Sequence, residues 1–148
     1  RLHRYAVRLL VDTCAAEDCV SETFSRFLNA LRNGRGPRDY LQAYLFRMAH
    51  NFVVDHYRRS ENENTLVDDT PDDENTEESA SLNIRRKRVR FALRELTGEQ
   101  QQVIALKFLE GWENEEIARV LEKPVGAVKS LQHRALARLQ KILLDDEV

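Results

Sequence analysis

Gly111–Leu139, GWENEEIARVLEKPVGAVKSLQHRALARL, decides the reading of this chain, because it spells two helices joined by a turn too short for anything but a corner. In Glu115–Leu121, Ile117, Val120 and Leu121 supply a short apolar stripe, and Ala118 is small enough for a second helix to cross closely. Pro124 ends that helix, since proline cannot continue the i to i−4 ladder and biases Lys123 away from helical geometry. From Gly126 a new helix is expected, with Val128, Leu131, Ala135, Leu139 and Ile142 at three- and four-residue steps on its buried side. The opposite side carries Lys129, Ser130, Gln132, His133, Arg134, Arg138 and Lys141, cations and hydrogen-bonding groups suited to phosphates and base edges. The arrangement is a helix-turn-helix, which lays its second helix in the DNA major groove. A charged outer face alone would mean only a solvated surface; the short preceding helix and the proline corner favour DNA. His133 has no second ligand at helical spacing on its face, so it reads as a base or phosphate contact and not as a metal ligand.

With 148 residues and 42% hydrophobic content the chain can bury a core, as one domain or as two small ones. Its net charge of −2 conceals a segregation: Glu61, Glu63, Asp68, Asp69, Asp72, Asp73, Glu74, Glu77 and Glu78 fall in one stretch without Lys or Arg. Setting those nine carboxylates aside turns −2 into +7, so the parts expected to fold are basic. Cys14 and Cys19 are too few and wrongly spaced for zinc; Cys19 reads as a small core residue and Cys14 as a loop-end residue. No metal or other cofactor is expected. No apolar run approaches the ~20 residues needed to span a bilayer and no signal peptide is evident, so a cytoplasmic protein is expected. The chain starts at Arg1 inside a helical pattern (Leu2, Tyr5, Ala6, Leu9, Leu10), which reads as a truncated amino terminus.

Ala16–Leu31 carries Val20, Phe24, Phe27, Leu28 and Leu31 as a helical stripe, taken as core-facing, opposite Glu17, Asp18, Ser21, Glu22, Ser25 and Arg26. Gly34, Gly36 and Pro37 close it in a basic loop with Arg32, Arg35 and Arg38. Asp39 is expected to cap the next helix, whose packed side is expected at Leu41, Tyr44, Leu45, Met48, Phe52 and Tyr57, as far as Arg59. Ser60–Ser81 is too polar to offset the entropy of ordering it and reads as a flexible acidic linker. A second unit starts near Leu82, with Val89, Ala92, Leu93 and Leu96 in one helix. Thr97 and Gln100 then fit a capping box opening a helix through Val103, Ile104, Leu106, Phe108 and Leu109 that stops at Gly111. The chain reads as all-α: helical domains over 1–59 and 82–148, joined by a linker over 60–81.

Two segments resemble the extracytoplasmic-function (ECF) type of bacterial RNA polymerase sigma factors. AAEDCVSETFSRFLNAL with AYLFRMAHNFVVDHYRR is similar to region 2 of that family, and LRELTGEQQQVIALKFLEGWENEEIARVLEKPVGAVKSLQHRALARL to region 4. The resemblance implies that Glu17, Asp18, Glu22 and Arg26 face core RNA polymerase. It implies that the loop Asn33–Asp39, with Arg35 and Arg38, and the line Arg47, Asn51, Arg58 meet the opened minus-ten strand. Spacings of four and seven put those three on one helical face, where Asn51 can bond an exposed base edge between phosphate-holding arginines. Region 4 would read the minus-thirty-five duplex through Lys129, Ser130, His133 and Arg134, with Lys107 and Arg119 as phosphate contacts. The expected partners are core RNA polymerase, promoter DNA and an anti-sigma factor; membrane insertion and a small-molecule substrate are not expected.

The pattern departs from the family where Glu113 stands in place of a capping Ser, with Asn114 expected to take that role, and at Ala127 and Leu131, where the family commonly has Thr and Arg. An enzyme is the reading least supported, since no Gly-rich phosphate loop or nucleophile with a credible base is present. Two rivals stand: a sigma mimic that sequesters an anti-sigma factor, against which the basic face argues, and a simple helix-turn-helix regulator, which leaves the first domain unexplained.

Overall fold

A computed structural model describes residues 1–10, 12–63 and 77–145, and these contain seven α-helices and no strand. Helix α1 (Leu2–Leu9) packs Tyr5, Ala6 and Leu9 inward, as its spacing predicts. Helix α2 (Thr13–Arg32) is capped by Asp12, whose carboxylate accepts from the Cys14 amide at 2.9 Å. Its buried face is Ala15, Ala16, Cys19 and Thr23. The expected stripe is split: Val20 and Phe27 are half-buried, Phe27 meeting Tyr44 edge to face at 6.0 Å, whereas Phe24, Leu28 and Leu31 are 43%, 54% and 50% exposed. Small side chains let α2 lie close to α1 and α3, and the Cys19 thiol and Thr23 hydroxyl are satisfied by the Ala49 and Cys19 carbonyls. Burial pushes the Cys19 thiol up to about 11, which suits an inert packing residue. Cys14 is exposed in the first turn of α2.

Helix α3 (Leu41–Glu63) runs through the middle of the molecule, touching α1 and α2 on one side and α5 and α6 on the other. Its buried residues are Ala43, Phe46, Ala49, His50 and Val53, a register displaced from the expected one. Leu41 is exposed, and Tyr44, Leu45, Met48, Phe52 and Tyr57 are half-buried along the flanks. A helix with neighbours on two sides has no single apolar stripe, so its largest side chains do not mark the centre of its packing. Asp39 does not cap it. The first helical bond runs from the Tyr44 amide to the Tyr40 carbonyl, and Tyr40 takes the left-handed turn, φ 55.

Helix α3 continues through residues 60–63 and α4 (Glu77–Arg94) starts upstream of Leu82, so both ends of the expected linker are helical; its middle, 64–76, lies outside the described residues. Helix α5 (Gly98–Ile104) opens on the predicted capping box: Thr97 Oγ1 accepts from the Gln100 amide, and Gln100 Oε1 accepts from the Thr97 amide. A π-type turn, Ala105–Leu109, widens its end and turns Phe108 and Leu109 to the surface, where the sequence spacing had them packed. Gly111 reverses the chain at φ 72 and Trp112 drops back into the core.

Helix α6 (Asn114–Leu121) has Glu113 at its cap position without a side-chain bond. Asn114 is already helical, and its side-chain oxygen accepts from Gln132 on α7 at 2.7 Å, so it ties the motif together where a cap was expected. The helix ends at Glu122 in left-handed backbone (φ 54), before the proline; Pro124 starts α7 (Val125–Asp145), its carbonyl accepting from Ala127 and Val128. Val128, Leu131 and Ala135 are buried against α6 and α5, as the spacing predicts. One buried cluster runs from Tyr5 and Leu9 through Phe46 and Val53 to Trp112, Ile117 and Val128.

Candidate nucleic-acid interface

The corner of Glu122–Pro124 and the Ile117–Val128 packing beneath it turn the polar side of α7 outward, and Lys129, Ser130, His133 and Arg134 are all exposed there. Arg134 reaches back to the Ser130 carbonyl at 3.4 Å, which aligns it along the helix beside His133. Arg138 is drawn toward α4, donating to the Glu95 carbonyl at 3.1 Å. Lys107 is half-buried on the π-type turn, and Arg119 lies on the outer side of α6 with its guanidinium 4.3 Å from the Tyr40 ring centroid. The four α7 residues therefore form one face, whereas Lys107 and Arg119 stand apart from it.

The line Arg47, Asn51, Arg58 is split by its surroundings. Asn51 and Arg58 are exposed and open onto a groove of about 420 Å³ between α3 and the start of α5. Arg47 instead closes the C-terminal end of α6: Nε donates to the Val120 carbonyl at 2.8 Å, Nη2 to the Arg119 carbonyl at 3.3 Å, and Nη1 pairs with Glu122 at 3.1 Å. A cation there satisfies carbonyls that a helix leaves without partners and complements the negative end of its dipole. Arg35 and Arg38 are exposed in the α2–α3 loop.

Glu17, Asp18, Glu22 and Arg26 are exposed on α2, the last two paired at 2.8 Å. Sequence reasoning missed that Glu17 shares a face with Phe24, Leu28 and Leu31, at steps of seven, four and three residues, so this surface is apolar as well as acidic.

Three contacts that no periodicity announces hold α1–α3 to α5–α7. Phe46 and Trp112 meet edge to face at 4.7 Å. Glu110, with its side chain 1% exposed, is bonded by Arg4 at 2.8 Å and by Arg8, which also reaches the Leu109 carbonyl. His50 is buried between the Tyr5 hydroxyl at 2.7 Å and the Gly98 carbonyl at 2.9 Å. A carbonyl can only accept, so Nε2 carries the proton; in the neutral ring Nδ1 then accepts from Tyr5. Burial lowers its pKa to about 4 against the opposing bond to Gly98. The signal available in sequence was slight: the chain's single Trp directly after a glycine, and a His one step from Asn51.

Two family models match in chain order: Sigma-70 region 2 over residues 1–63 and Sigma-70, region 4 over residues 86–139. The ECF RNA polymerase sigma factor SigL of Mycobacterium tuberculosis is 32% identical over 146 residues, which cover 96% of this chain and 82% of SigL. The chain belongs to the ECF RNA polymerase sigma factors. BldN of Streptomyces coelicolor, also an ECF sigma factor, is 31% identical over 150 residues; the match covers 98% of this chain but 57% of BldN, little more than half its length. Among solved structures, the sigma factor RpoE from Bartonella quintana, crystallised with the anti-sigma factor NepR, superposes with a TM-score of 0.60 at 22% identity, covering 96% of this chain and 89% of that one, a likeness of fold. In this sigma factor the region 2 match ends with α3, and the region 4 match begins inside α4 and takes in the helix-turn-helix as far as Leu139 of α7.

Proposed function

We propose that this sigma factor binds core RNA polymerase, recognises promoters through α3 at the minus-ten element and α7 at the minus-thirty-five element, and is restrained by an anti-sigma factor. The domains would divide as 1–59 and 82–148 around the acidic segment 60–81. The observation that carries the reading is the exposed row Lys129, Ser130, His133 and Arg134 on the second helix of a helix-turn-helix, in a chain that also matches region 2. Asn51 and Arg58 on the open groove supply a base-edge partner and a phosphate partner for an unpaired strand. The polymerase face on α2 is centred on Glu17, Phe24, Leu28 and Leu31, exposed apolar side chains beside a carboxylate, which is a usual mark of a protein contact; Asp18, Glu22 and Arg26 lie round the helix from it, Glu22 and Arg26 toward α3. RpoE, crystallised with NepR, is the precedent for an anti-sigma partner.

Run-off transcription with core RNA polymerase on a template carrying spaced minus-thirty-five and minus-ten elements tests the whole reading, and a transcript that depends on this protein is expected. Anti-sigma binding with no transcript would leave the mimic standing. On the isolated promoter duplex, Lys129→Ala and Arg134→Ala should each flatten the salt dependence of log K by roughly 0.9, one phosphate's worth of released counterions. An unchanged slope would remove those residues from the DNA face.

A further inference from the structure

Helix α4 carries a second basic surface that neither the helix-turn-helix nor the minus-ten line absorbs. From Leu82 to Arg94 there is no acid and there are six cations, Arg85, Arg86, Lys87, Arg88, Arg90 and Arg94. Ala92 and Leu93 face the core, which leaves Ile84, Lys87, Phe91 and Arg94 outward at steps of three, four and three. Phe91 is 52% exposed, with Lys87 one turn before it and Arg94 one turn after. An exposed ring between cations is a poor solution for a surface meant only to be solvated, and of little use against duplex DNA, whose bases hide their faces in the stack. It suits a strand whose bases are free: the cations hold phosphates, and the ring stacks on a base.

Position supports the same occupant. Arg94 lies over the Tyr57 ring of α3 at 4.7 Å, one residue from Arg58, and Arg90 and Arg94 both oppose the burial that raises the Tyr57 hydroxyl's pKa. The cationic side of α4 is thereby continuous with the part of α3 that offers Asn51 and Arg58 to an unpaired strand. We propose that the α4 face of Lys87, Phe91 and Arg94 binds single-stranded nucleic acid beside α3 while the two halves of the molecule stay packed together. The inference rests on the proposed single-strand role of α3.

The test is fluorescence anisotropy of the full chain with a 5′-labelled 20-nucleotide oligo(dT) and, separately, with a mixed-sequence 20-base-pair duplex, over a salt series. Lys87→Ala should lower the salt slope on oligo(dT) by roughly 0.7. Phe91→Ala should weaken oligo(dT) binding by about 10-fold or more, and Phe91→Trp should restore it. Both side chains are exposed, and thermal melting equal to the parent's certifies the fold. Oligo(dT) affinity and slope unchanged in both α4 variants would overturn the inference, as would equal losses on oligo(dT) and duplex. If those variants bind oligo(dT) like the parent while Asn51→Ala and Arg58→Ala do not, this inference fails and the α3 reading survives. If the parent binds no oligo(dT) and directs no run-off transcript, both fail together.

Discussion

Trp112→Ala should destabilise the protein by about 3–5 kcal/mol, the range for deleting a buried aromatic side chain. Domains of this size are typically stable by only ~5–15 kcal/mol, so that is a large fraction of the whole. The ring is buried and meets Phe46 edge to face at 4.7 Å, and the backbone amide of Trp112 is anchored to the Leu106 carbonyl at 2.9 Å, so the neighbours cannot easily close the space. Urea denaturation followed by far-ultraviolet circular dichroism measures the change. In the parent, the chain's single tryptophan reports the same transition by fluorescence. A loss below about 1 kcal/mol would mean that the Phe46–Trp112 contact does little to join α3 to the helix-turn-helix.

Acidification is the second large effect, and its sign follows from His50. Its folded pKa is lowered from 6.5 to about 4, so between those values the unfolded chain binds a proton that the folded one refuses. Stability from this residue is therefore fully present above about pH 6.5 and is lost as pH falls toward 4; the full shift corresponds to about 3 kcal/mol. Protonating Nδ1 would reverse the bond to Tyr5, the ring then donating to the hydroxyl oxygen, so the cost is that of a charged ring buried between Tyr5 and Gly98. The measurement is a comparison of urea midpoints at pH 7 and pH 5 in the parent and in His50→Gln, so that only the part of the acid dependence belonging to this ring is read. Glutamine can donate to Gly98 and accept from Tyr5 without titrating. A parent and variant that lose stability equally on acidification would assign the effect elsewhere.

The helix-turn-helix was legible because punctuation and periodicity agree there: Pro124 at the corner, Val128, Leu131 and Ala135 at helical steps, and cations on the other side. The Thr97 capping box was legible for a similar reason, since both of its bonds are local. Helix α2 misled because periodicity weighs large apolar residues, whereas Ala15, Ala16, Cys19 and Thr23 make the close packing. Phe24, Leu28 and Leu31 follow the helical period on the exposed face. Asp39 was the stronger capping residue on propensity, but Tyr40 takes the left-handed turn and lies under Arg119. Arg47 shows the limit for site residues: spacing puts it in line with Asn51 and Arg58, but only the tertiary structure reveals Val120, Arg119 and Glu122 as its partners. The basic run of α4 is present in plain sequence, beside an acidic stretch that dominates the charge pattern.

Arg47 also sets a problem of distance. A folded chain of 148 residues has a radius of gyration of about 15 Å and is about 40 Å across, whereas two promoter elements some 25 base pairs apart are separated by about 85 Å of straight duplex. While Arg47 stays fastened to the end of α6, the proposed readers of the two elements are carried on a body too short to touch both. On the proposed promoter reading, releasing it would exchange carbonyl and carboxylate oxygens for phosphate oxygens, which are chemically alike. On that reading the work of prising the halves apart, Trp112 from Phe46 above all, would fall to the polymerase, and a promoter would be measured out only by a molecule already stretched across it.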